Sequence, residues 1–67
     1  MLSKEDVLRL EKGDWVWVET EGRLFYMQIY KIDGDVIFFD TMFDKYITVI
    51  DDVKIYKEKP NGFREDL

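Results

Sequence analysis

At 67 residues the chain is a single domain that removes only about 60% of its unfolded surface from water, so its core is small and needs reinforcement. With no cysteine and no histidine, disulfides are excluded and structural zinc loses its preferred ligands, which leaves dense packing of two Trp, four Tyr and five Phe, or self-association. A net charge of −5 opposes non-specific binding to nucleic acid and to anionic membranes, and no apolar run approaches the about 20 residues that span a bilayer.

The elements follow in chain order. Leu2 to Val7 reads as a helix start, with Ser3 as the cap, Glu5 and Asp6 near the positive end of the dipole, and Leu2 and Val7 as a hydrophobic staple. Val7, Leu8 and Leu10 give it a short apolar stripe, and Gly13 stands where a helix end favours a left-handed residue. From Asp14 to Tyr56 one β-rich run follows another. Trp15 to Val18 alternates Trp with Val, so both faces are apolar and the tryptophan face needs a cover, either the helix or a second subunit. Leu24 to Ile32 is a long strand, with Phe25, Met27 and Ile29 on one face and Leu24, Tyr26, Tyr30 and Ile32 on the other. A strand of that length bends and serves both halves of a barrel. Asp33-Gly34 is the strongest hairpin signal. Val36 to Asp40 returns, Thr41 to Lys45 is a loop, and Tyr46 to Ile50 and Val53 to Tyr56 are the last strands, joined by Asp51-Asp52. The expected fold is all-β: a short N-terminal helix followed by a five-stranded, strongly bent antiparallel barrel over residues 1–57, with 58–67 a flexible tail. Met1 to Asp6 lacks the basic and apolar regions of a secretory signal, so the expected location is the cytoplasm.

Three groups of residues bear on chemistry. Asp33, Asp35, Asp40, Asp44, Asp51 and Asp52 all fall at strand ends or turns. Converging oxygens would suit calcium or magnesium, but aspartate in such places is ordinary turn chemistry, and Asp33-Gly34-Asp35 lacks the rest of an EF-hand loop. Ser3, the single serine, is committed to the helix cap, and without His or Cys the common nucleophile–base pairs cannot be built. A carboxylate pair of the glycosidase kind would need a cleft this small barrel has little room for. The expectation is therefore no enzyme, no cofactor and no metal. The aromatics remain. Trp15, Trp17, Tyr26, Tyr30, Phe43 and Tyr46 are the candidate binding residues, able to stack bases, cage a methylated lysine, or supply core and subunit interface. The last use is favoured in so small a domain, with Phe43 the aromatic expected to be exposed.

The order of a short helix and five strands, with a long second strand and a very short link before the fifth, resembles the Sm/LSm-like small barrel over about residues 3 to 57. Met27-Gln28-Ile29-Tyr30-Lys31-Ile32-Asp33 follows the apolar frame of the first Sm motif, with Met27 in the glycine place, and Val36-Ile37 falls near its Met-Asn place. Val49-Ile50-Asp51-Asp52-Val53 occupies the second motif. In that family the asparagine and an Arg-Gly pair build a uridine pocket. Here the single asparagine is Asn61, and Asp51 stands in the arginine place. The resemblance thus implies the fold and ring-forming edges, but not the RNA site. Leu10 to Val18 is also similar to the first strand of SH3-like and Tudor-like barrels. The expected function is a non-enzymatic binding module acting through protein–protein contacts and self-association as a homo-oligomer. An Sm-like RNA-binding ring is the first alternative, disfavoured by charge, and an acidic regulator or nucleic-acid mimic the second.

Overall fold

The structure, a computed structural model, describes residues 1–62. Helix α1 spans Lys4–Leu8, and the strands are β1 Trp15–Thr20, β2 Arg23–Asp33, β3 Val36–Asp40, β4 Lys45–Val49 and β5 Lys54–Tyr56. All pairings are antiparallel, in the order β4-β3-β2-β1-β5. The mainly-β architecture with one N-terminal helix is as the sequence leads one to expect, with one qualification of geometry. The sheet is bent and compact but not hydrogen-bonded shut, and β4 and β5 are its two edges.

The bend lies in β2. Its residues from Arg23 to Gln28 pair with β1, those from Gln28 to Asp33 pair with β3, and only Gln28 serves both. Next to this pivot the register shifts between Ile29 and Lys31, which makes Tyr30 the extra residue of a β-bulge. A bulge bends a strand and reverses the parity of its side chains. That is why Ile32, three residues from buried Ile29, packs partly buried against the same core, although simple alternation puts the two on opposite faces.

The core comprises Val7, Val16, Val18, Met27, Ile29, Ile37, Phe39, Ile50 and Ile55. Val16, Val18, Ile37 and Phe39 are completely buried. α1 is only five residues long and is held by its surroundings rather than by propensity. The Ser3 hydroxyl accepts from the Asp6 N–H, the Leu2 N–H donates to the Ile55 carbonyl at 2.8 Å, and Val7 enters the core. Leu8, by contrast, points to solvent.

Three local expectations are corrected. α1 ends at Arg9 in right-handed backbone, so Gly13 does not cap it. Instead Gly13, at φ +98°, closes the following turn, from which its N–H donates to the Ile29 carbonyl. The link before β5 is a short 3-10 helix, Ile50–Asp52, which sends Ile50 inward. The β2–β3 turn is centred on Gly34-Asp35, because Asp33 and Val36 still pair.

Candidate functional site

Alternation in β1 sends Val16 and Val18 inward and leaves Trp15 and Trp17 on the outer face. Tyr26 of β2 stands directly opposite Trp17. The three rings pack against one another: Trp15 and Tyr26 stack with centroids 5.0 Å apart, and Trp17 lies 4.7 Å from Tyr26. α1 does not cover them, since its apolar side chain is spent on the core. Trp15 is 47% exposed and Tyr26 52%, even though both are large and apolar.

One lysine and one hydrogen-bonded carboxylate border this face. The Lys59 ammonium lies 5.4 Å from the Trp17 ring, at cation–π distance. Tyr56, opposite Trp17 on the other side, donates its hydroxyl to Glu19 Oε1 at 2.8 Å. That hydrogen bond to a carboxylate holds the phenol proton and raises the Tyr56 pKa. At the far end of β2, bulged Tyr30 has Lys12 and Lys45 over its ring at 5.0 and 4.5 Å. Lys45 also pairs with Asp40 at 2.8 Å, and chiefly this bond raises the lysine pKa, with the nearby Tyr30 and Asp44 adding to it.

A second apolar feature opens at the end of the sheet where β2 runs past β3. A hollow of about 450 Å³ is lined by Thr20, Glu21, Phe25, Tyr26, Met27, Thr41, Met42, Phe43 and Tyr46. The loop at its rim is built by Thr41. Its N–H donates to the Asp44 carbonyl and its hydroxyl accepts from the Asp44 N–H, both at 3.0 Å, while Asp44 Oδ1 accepts from the Lys45 N–H. This compact turn lifts Met42 and Phe43 into solvent at 91% and 93% exposure. Tyr46 faces inward and stacks on Phe39 with centroids 6.1 Å apart. A larger, open hollow of about 790 Å³, between α1 and the β2–β3 turn, has a mixed wall of charged side chains, among them Lys4, Lys12 and Asp35, and apolar ones, Leu8, Leu10 and Ile32.

Of the six candidate residues, the fold thus brings Trp15, Trp17 and Tyr26 together on the outer face. Tyr26, Phe43 and Tyr46 surround the terminal hollow, with Tyr26 common to both. Tyr30 stands apart between its lysines. Phe25 and Met42 belong to the hollow and were not among the candidates. Phe25 has inward parity, which marks it as core, yet it is 42% exposed because β3 ends before reaching it. An eleven-residue strand beside a five-residue one was the available signal.

Among the described residues no polar side chain is buried, and no group of three or more acidic side chains is placed to hold a metal. No described helix is long and apolar enough to cross a membrane. What this arrangement offers chemically is non-covalent contact: ring faces, thioethers and lysine-capped edges. Comparison with family models, with curated proteins and with solved structures finds no match.

Proposed function

We infer that the protein is a non-enzymatic binding module that works through protein–protein contacts and associates with itself through the outer face of β1 and β2. The observation that carries this reading is the exposed Trp15–Tyr26 stack, with half-buried Trp17 beside it. Small soluble domains bury such side chains, and aromatic clusters left in solvent are characteristic of contact surfaces. The electrostatics of the face temper the net charge locally, because the Lys59 ammonium lies over the Trp17 ring. β4 is an edge strand with no further strand beside it, and such an edge invites pairing, whereas the edge of β5 is met by the Leu2 N–H. The Sm-like reading of the fold is supported by the short helix, the long bent second strand and the brief link between β4 and β5. An RNA role is opposed by Asp51 and Asp52, both exposed where a phosphate would have to approach.

Both tryptophans of the chain lie on the proposed contact face, so intrinsic fluorescence tests the reading without a label. Dilution should shift tryptophan emission to the red as the face is returned to water. An emission spectrum independent of concentration would remove self-association.

A further inference from the structure

We propose that the hollow at the open end of the sheet receives the apolar anchor of a basic polypeptide segment from a partner protein, with the adjoining carboxylates holding that segment's lysine or arginine. This deepens the reading of the chain as a protein-contact module and rests on it.

Two observations lie side by side. The first is the hollow itself, whose volume of about 450 Å³ falls within the about 300–1,000 Å³ typical of small binding sites. Its wall combines aromatic rings with Met27 and Met42. Methionine is unbranched and polarisable, so it re-packs around different anchors. Met42 and Phe43 are almost wholly exposed at its rim, which no requirement of this chain's own core explains.

The second is the charge beside it. A smaller hollow of about 250 Å³ shares Thr20 and Glu21 with the first and is lined further by Glu19, Asp51 and Asp52. Lys54 is its one basic residue, against four carboxylates. Four acidic groups next to an apolar seat select the occupant by charge. A second copy of the chain also carries −5 and would bring like charge to this corner. Nucleic acid and an anionic membrane are disfavoured for the same reason. A basic segment with an apolar side chain beside its lysine or arginine satisfies both hollows at once.

The test is selection of displayed, randomised short peptides on the full chain, followed by affinity measurements with the enriched peptides. Enriched sequences should pair an aromatic or aliphatic residue with lysine or arginine, and should bind more weakly as salt rises. Met42→Ser with Phe43→Ser should weaken binding roughly tenfold, as loss of an interface hot spot does, and Asp51→Asn with Asp52→Asn severalfold. All four side chains are exposed, so the variants keep the fold, which circular dichroism verifies. Failure to enrich any peptide, or enrichment of peptides without basic residues, would overturn the proposal. So would loss of self-association in the Met42→Ser, Phe43→Ser variant, which would make a second copy the occupant. Peptides released by Trp15→Ser but retained by the Met42→Ser, Phe43→Ser variant would also overturn it, while leaving the outer aromatic face as the contact surface.

Discussion

At the scale of single residues, two hydrogen-bonded titratable groups contribute to how the protein responds to alkali. Tyr56 is held protonated by Glu19, and Lys45 is held charged by Asp40, each with a pKa raised above its ordinary value of 10.0 or 10.5. A raised folded-state pKa contributes stability that is fully present below the unfolded value and lost as pH climbs through the folded one. These two groups therefore leave stability flat through neutral pH and lower it only in the alkaline range. Tyr56→Phe should cost about 1 kcal/mol near neutrality, the usual net worth of such a bond, and should flatten part of the alkaline decline. Urea unfolding of both proteins at neutral and alkaline pH measures this, and equal slopes against pH would contradict it. Phe43→Ser should change stability by less than about 0.5 kcal/mol in the same assay, because its side chain touches almost only water. Residue parity made Val16, Val18 and Ile29 legible as core from the sequence, since each shares its inward face with an apolar partner on the adjacent strand, Met27, Phe25 and Phe39. It failed at Phe25, because parity states which way a side chain points and not whether another strand reaches over it.

At the scale of elements, the turns were readable and the bulge was not. Glycine after an acidic residue marks both tight turns, yet they differ in type. Gly34 has φ +61° at the first central position of β2–β3, as a II′ turn requires. In β1–β2 the two central residues, Glu21 and Gly22, both have positive φ, at +53° and +73°, as a I′ turn requires. Left-handed backbone is costly for glutamate, and Asn-Gly is the preferred pair there. Glu21→Asn should thus stabilise the protein by about 1 kcal/mol, seen as a higher melting temperature, while weakening the proposed hold on a basic segment. An unchanged or lower melting temperature would contradict the backbone argument. The Tyr30 bulge carries no comparable mark. No glycine or proline announces it, and Tyr30 suits a regular strand as well as an irregular one. Its cause lies in the need for β2 to serve β1 and β3 in turn, which is a property of the assembled sheet. For the same reason the sequence showed that β1 is apolar on both faces without showing which face α1 would take. Ser3 capping and Val7 burial together direct the helix to the core side.

At the scale of the whole molecule, a chain of this size has spent its buried side chains on one small core and left its largest aromatic group outside. The acidic charge is not spread evenly. Four carboxylates gather at one corner, while Lys59 lies over the aromatic face and Lys12 and Lys45 over Tyr30. Labelled oligo-uridine at physiological salt should show no rise in anisotropy, because Asp51 and Asp52 repel phosphate and a net charge of −5 opposes the approach on which counterion release depends. The central claim is that the Trp15–Tyr26–Trp17 face is a contact surface between copies. Light scattering after size-exclusion chromatography, over about 1 µM to about 1 mM protein, tests it most directly, since mass action makes association depend on concentration. The account predicts a mass that rises above the 8.1 kDa of one chain and returns to it in the Trp15→Ser, Tyr26→Ser variant. A steady 8.1 kDa across the whole range, or assembly undiminished by that variant, would contradict it.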